Sequence, residues 1–440
     1  MKKNSFVWHP NTQMKEWSSF DTIVKAKGMW LTTSNGIHLL DGVGSMWCNV
    51  WGHSKPELVN AIMSQSKKVQ HSSMFNLTNE PAEKLAKNLI KLSPGMHRVF
   101  YSDNGSSAME IAFKIALQYR KNVGDKNKTK IATLKNGYHG DTFGAMAVGY
   151  VPEFFGKFKK QLFPTIQFPV PNGYRIPKGY SFLDYQNFCL DKIETEFSKD
   201  GKISTFVMES GAQVAGGVII FPKEFQKKIS NLCKKYDVLL VLDEIATGFG
   251  RLGSMIQYTE QKCTPDIVAY GKMLTGGYLT MAATLTSKKI YDSFLGEFND
   301  HRHLFHGHTF TGNPIAAGVA NENLRLYQKN NLIDKIQKTS KIFKGYYNEI
   351  LKLDIVGDIR HKGMLMGIEM VKDKKKKTPI NSKVSINKIL FEVGKKNGIY
   401  LRTLGNIVML VPPLAISEKE LDLLLSRTID TIKSAQNKLL

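Results

Sequence analysis

A chain of 440 residues with 42% hydrophobic and 22% charged residues is too long for one ordinary domain, and its composition excludes a disordered polypeptide. Lys and Arg outnumber Asp and Glu by 61 to 38, a formal net charge of +23. The basic residues are scattered throughout, with one dense run at residues 374–377 that reads as a solvated loop, so charge alone makes a weak case for a nucleic-acid partner.

In chain order, MKKNSFVWHPNTQM opens with two lysines but has no apolar core, unlike a secretory signal. Residues 30–41 predict a hairpin with Asn35-Gly36 in a type I′ turn. Helices are expected over 56–69 and 80–92, then a short strand over 98–102, broken by Asp103-Asn104-Gly105-Ser106. Ala108, Ile111, Ala112, Ile115 and Ala116 repeat at i, i+3, i+4, i+7 and i+8, the apolar face of a helix against a sheet. A strand over 130–134 follows, and from there to about residue 204 the pattern assigns no elements. Strands are predicted again over 205–208, 238–242, 267–270 and 281–286, with a helix over 223–235. Beyond Asn313-Pro314 come helices over 315–328 and 332–351, then strands near 365–370 and 407–410.

Strands alternating with helices predict an α/β fold, a mostly parallel sheet sandwiched by helices, plus a smaller C-terminal α+β domain. The expected division is an N-terminal segment over 1–52 contributing to the small domain and the active site, a large domain over 53–312, and a connecting helix with the small domain over 313–440. Cys48, Cys189, Cys233 and Cys263 form no CxxC pair, which argues against a disulfide framework or a structural zinc site and fits a reducing cytoplasm. The longest uninterrupted aliphatic run, residues 238–242, is too short to cross a bilayer, so a cytoplasmic location without membrane contact is expected.

In an open parallel sheet, ligands bind at the carboxyl ends of the strands. Asp103 to Ser106, Asp243 and Lys272 all follow predicted strands and should converge on one edge. An acid and a lysine there are what an enzyme needs to hold pyridoxal phosphate: the acid keeps the pyridine nitrogen protonated and the lysine carries the aldehyde covalently. Taken singly, Asp243 reads more readily as a turn cap or metal ligand, and Lys272 as a surface lysine. Gly105-Ser106 opens a helix and is either a phosphate cradle or an ordinary N-cap. Tyr138 is placed to stack on a planar ring or to pack a loop. His301, His303, His306 and His308 lack the spacing of a structural zinc site and read as an active-site loop, with no metal expected. Arg402 and Arg251, both in turn-rich stretches, suit a substrate carboxylate or a surface ion pair. Trp8-His9-Pro10 and Met46-Trp47 read as an aromatic wall for an aliphatic substrate, or as core.

Together the segments WHP, GSMWCNVWGH, YSDNGSSAMEIA, KNGYHGDTFGAM, LDEIATGFGR, AYGKMLTGGYLT, FHGHTFTGNP and LRTLGNIVMLVPP span nearly the whole chain. They resemble the class III, fold-type-I pyridoxal-phosphate aminotransferases, and within them the biotin-synthesis branch. The resemblance implies transamination of 8-amino-7-oxononanoate, or else of another ω-amino acid of the ornithine, 4-aminobutyrate or β-alanine type. It implies Lys272 as the cofactor lysine and Asp243 as partner of the ring nitrogen. Tyr138 would stack on the ring, and Gly105 and Ser106 would bind the phosphate. His308 and Thr309 would reach that phosphate from the second subunit of a homodimer. Arg402 would clamp the keto acid, with Gly307 and Trp47 lining the pocket, while Arg251 matches an active-site arginine. Three positions depart from the family: Asn11 replaces an aromatic residue of substrate recognition, Met46 replaces a tryptophan, and His308 stands where a proline is common. They leave the chemistry in place and the amino donor open between S-adenosylmethionine and L-lysine.

Overall fold

The computed structural model describes residues 5–199 and 201–440. Its central sheet has seven strands: β1 (Met96–Ser102), β2 (Lys130–Leu134), β3 (Ile166–Phe168), β4 (Ile203–Glu209), β5 (Leu239–Asp243), β6 (Ile267–Tyr270) and β7 (Ala282–Ser287). Their spatial order is β1-β7-β6-β5-β4-β2-β3. Only β7 runs against its neighbours, so β1 to β6 all end at the same edge. Every residue of β4, β5 and β6 is buried, as expected of strands covered on both faces.

The Gly105–Asn122 helix lays Ala108, Ile111, Ala112, Ile115 and Ala116 against Val207, Val241 and Ile267 of the sheet. Asn104 caps it, its side-chain oxygen accepting the Ser107 N–H at 3.0 Å. That cap fixes the helix start beside the carboxyl ends of the strands.

The N-terminal strands Ile23–Lys27, Trp30–Thr33 and His38–Asp41 form an antiparallel run, and His38–Asp41 also pairs in parallel with Ile399–Tyr400. Residues near the two ends of the chain therefore share one sheet. Another sheet holds Val356–Lys362, Leu365–Asp373, Arg402–Leu404 and Ile407–Leu410, with Thr378–Pro379 on Leu365–Asp373.

Several local expectations need correction. The hairpin turn is not type I′: Gly36 has φ 78° while Asn35 does not take a positive φ, and the Gly36 N–H donates to the Thr33 carbonyl at 3.0 Å. A turn of that kind ends on one left-handed residue, a place glycine fills without a Cβ penalty. The helix expected over 332–351 is broken into Leu332–Thr339, Ile342–Gly345 and Tyr347–Leu351. The unassigned stretch contains edge strand β3 and the Phe182–Phe197 helix, started by a Ser181/Asp184 capping box. No helix among the described residues is long and apolar enough to cross a membrane.

Candidate active site

The carboxyl ends of β4, β5 and β6, with the loops after β1 and β2, enclose a cavity of about 230 Å³. Asn104, Gly105, Ser106, Tyr138, His139, Gly140, Glu209, Asp243, Ile245 and Lys272 are among its lining residues. A wider chamber of about 480 Å³ shares Trp47, Tyr138, Ala215 and Lys272 with it. Lys272 thus sits where the two spaces meet.

Asp243 is the last residue of β5 and is buried. One of its oxygens lies 2.9 Å from His139 Nδ1 and the other accepts the Ile245 N–H at 2.9 Å. Beside it in register, Glu209 ends β4 and accepts the N–H groups of Val214 at 2.9 Å and Tyr138 at 3.3 Å. Burial, reinforced by the Asp243 carboxylate, pushes the Glu209 carboxyl up to about 8.

Lys272 opens a short 3₁₀ turn just after β6, with φ 42°. Its ammonium position lies 5.5 Å from the centre of the Trp47 ring. Burial lowers its pKa, opposed by the charges of Asp243 and Glu209. A lysine held that way is primed to be a nucleophile and a base. The indole it faces rides on a strained loop, in which Ser45 and Trp47 take φ 60° and 66°. Asp41 fixes that loop by accepting the N–H groups of Ser45 at 2.8 Å and Val43 at 3.2 Å.

Gly105 and Ser106 form the first turn of an 18-residue helix, whose leading N–H groups have no intrahelical acceptor. The backbone around them is bare of necessity. A Cβ on Gly105 would lie 2.9 Å from Ile245, and one on Gly140 would lie 2.0 Å from the Ser106 hydroxyl. A helix N-terminus, an aromatic wall at Tyr138, a buried carboxylate and a lysine of lowered pKa are the four handles that pyridoxal phosphate requires, and the residues present fit it.

The chamber is lined by Asn11, Met46, Trp47 and Arg402, together with residues 380–382 and 384–387. Arg402 Nη1 lies 2.8 Å from the Met46 sulfur. Four other expected site residues lie elsewhere. Arg251 is buried and lines neither space: its Nη1 donates to the carbonyls of Met364 at 3.0 Å and Pro412 at 2.8 Å, and burial lowers its pKa to about 10. Through Nη1 it ties two distant backbone segments together, while its Nε and Nη2 have no hydrogen-bond partner among the described residues. Gly307, His308 and Thr309 also line neither space in their own chain. His308 Nδ1 lies 3.1 Å from Asp103, and Gly307 faces Phe75. Trp8, 87% exposed, stands outside the chamber, whereas Trp47 is in its wall. His303 packs on Phe305 at 4.1 Å and stacks on Phe298 at 6.0 Å.

Two site residues escaped the sequence reading. Glu209 carries the same signal as Asp243, a carboxylate at the carboxyl end of a buried strand, one residue beyond the predicted strand end. His139 lies within the KNGYHGDTFGAM segment, and nothing local reveals that Asp243 is its partner.

The class-III aminotransferase family model matches residues 13–432. The adenosylmethionine-8-amino-7-oxononanoate aminotransferase of Geobacter sulfurreducens is 39% identical over 434 residues, covering 97% of this chain and 96% of its own. The protein of that name from Staphylococcus aureus is 42% identical, covering 95% and 94%. The crystal structure of the one from Methanocaldococcus jannaschii superposes with TM-score 0.91 at 39% identity, covering 98% of this chain and 97% of that one. An omega transaminase from Pseudomonas jessenii, solved in complex with PMP, gives 0.93 at 25% identity, covering 99% and 97%.

Proposed function

The chain belongs to the class-III aminotransferases, and on that premise we propose that it aminates 8-amino-7-oxononanoate to 7,8-diaminononanoate, a step of biotin synthesis. The observation that carries the reading is the meeting of a pyridoxal-phosphate slot with a chamber walled by Arg402, with Lys272 at the junction. Relatives covering nearly the whole chain bear the name of that reaction.

Pyridoxal phosphate, when bound, supplies an aldehyde for covalent attachment and a ring that draws electrons from the substrate carbon. Lys272 is the attachment point, and its Nζ, once free, moves the proton at the reacting carbon as base and then acid. Asp243 holds the proton on the ring nitrogen, and its own position is set by His139 and the Ile245 N–H. The N–H groups of Gly105 and Ser106 hold the phosphate. Tyr138 covers the ring. Arg402 fixes the far carboxylate of the keto acid, so that the ketone is held in place by position.

The active unit on this reading is a homodimer in the cytoplasm, acting on small molecules with no role for nucleic acid or a membrane. Gly307, His308 and Thr309 complete the slot of the other copy. This is supported by their place outside their own slot and by an apolar face around them, where Phe75, Phe305 and Phe310 are 68%, 70% and 54% exposed. The donor is S-adenosylmethionine or L-lysine. Single-turnover mixing of the cofactor-loaded protein with each donor tests the reading. At least one should bleach the visible absorbance, and 8-amino-7-oxononanoate should restore it. Bleaching only by ornithine, 4-aminobutyrate or β-alanine would assign the chain to another branch of the family.

A further inference from the structure

Residues 301–309 contain no helix or strand, yet they are tied along one side of the Gly105–Asn122 helix. The ties come from Lys114, Gln118 and Asn122, spaced four apart and so stacked in one stripe. Asn122 Nδ2 donates to the Arg302 carbonyl at 3.2 Å. Gln118 Nε2 donates to the carbonyls of Arg302 at 2.9 Å and His303 at 3.1 Å. Lys114 Nζ donates to the Phe305 carbonyl at 2.8 Å and lies 3.2 Å from His306 Nδ1. Between these polar ties Leu304 packs on the apolar cluster of the same helix. The segment thus follows the helix from its C-terminal to its N-terminal end, where His308 meets Asp103 at 3.1 Å and the Tyr101 carbonyl at 3.3 Å.

Backbone carbonyls in irregular structure can be satisfied by water as well as by side chains. Here one helix face supplies acceptor-matched donors at three successive turns. They fix the path of the chain just before Gly307, His308 and Thr309.

We propose that Lys114, Gln118 and Asn122 are positioning residues that hold residues 301–309 so that Gly307, His308 and Thr309 reach the cofactor phosphate of the partner copy. The proposal rests on the shared-site reading given above. One helix then serves two sites. Its N-terminus cradles the phosphate of its own slot, and its side aims a segment at the other.

Mixed dimers test this directly. One chain keeps Lys272 and the other carries Lys272→Ala, so only one slot gives the visible absorbance of lysine-linked cofactor. The double variant Lys114→Met/Gln118→Ala is placed in one chain or the other, and the readout is how fast that absorbance is lost when released cofactor is trapped. With the double variant in the Lys272→Ala chain, release should quicken about ten- to hundredfold, the scale of a small misplacement in a binding site. In the chain that keeps Lys272, release should not change. Equal effects in both arrangements, or none in either, overturn the proposal. Asn122→Ala, a milder change at the end of the stripe, should act in the same arrangement by a smaller factor if the double variant fails to fold. Thr309→Ala run in parallel separates the two claims. If it acts across the dimer and the stripe does not, the positioning role fails alone. If Thr309→Ala has no effect across the dimer, the shared-site reading fails and takes the proposal with it.

Discussion

The cofactor slot and the substrate chamber share four lining residues but are built from different material. The slot is made of strand ends: Glu209 closes β4, Asp243 closes β5, Lys272 follows β6, and all three hang from a sheet with fully buried strands. The chamber is assembled from turns far apart in sequence, near Asn11, Met46, residues 380–387 and Arg402. Rigid strand ends suit groups whose charges must be tuned, whereas loops suit groups that vary with the substrate. Of the three departures from the family pattern, Asn11 and Met46 line the chamber, whereas His308 lines neither space in its own chain.

This division makes the two regions separable by mutation. Lys272→Ala should lower turnover by at least about 10³-fold, the span of a lost acid–base group, and should remove the visible absorbance of the loaded protein. Retained steady-state turnover in that variant would mean that the slot is not the reaction centre. Asp243→Asn should cost about 10²-fold in kcat with the keto-acid KM little changed, as for loss of one preorganised electrostatic contact. A rise in KM alone would move Asp243 from chemistry to substrate binding.

Arg402→Ala should do the reverse. Losing a charged hydrogen bond raises the KM for 8-amino-7-oxononanoate about ten- to hundredfold, with kcat close to the parent. An equal fall in kcat would erase the distinction between the two regions. The smallest effect expected is on stability. Glu209 keeps in the fold, up to about 8, a proton that an ordinary carboxyl gives up near 4.5. Its contribution is fully present below about 4.5 and is lost as pH rises through about 8, because the folded state binds more protons across that window. The thermal midpoint of cofactor-free protein should therefore fall between those limits, and Glu209→Gln should flatten the slope. An unchanged slope would show that Glu209 is already ionised.

The same division governs what could be read from the sequence. Buried strands announce themselves as apolar runs, and a polar residue that ends one stands out, so Asp243 and Lys272 were legible from local pattern once their shared edge was inferred. Glu209 was equally legible in principle and was missed by one residue of strand length. The chamber was not legible that way, because no local pattern brings Asn11, Met46 and Arg402 together; only the family resemblance did. Nor does local pattern show what Arg251 touches. A guanidinium after a glycine-rich turn looks like a substrate fork, and its acceptors, the carbonyls of Met364 and Pro412, lie more than a hundred residues away. The Phe182–Phe197 and Glu418–Leu439 helices start at capping boxes, Ser181/Asp184 and Ser417/Glu420, which are visible in the sequence.

On the proposed function, this slot and chamber together carry an amino group to one keto acid. The most direct measurement is mass spectrometry of the product formed from 8-amino-7-oxononanoate with nitrogen-15-labelled donor, S-adenosylmethionine or L-lysine labelled at its amino groups. 7,8-Diaminononanoate carrying one labelled nitrogen is expected with at least one of these donors, and none with Lys272→Ala. Absence of labelled product with both donors, from protein that binds pyridoxal phosphate and aminates a different ω-keto acid, would contradict it.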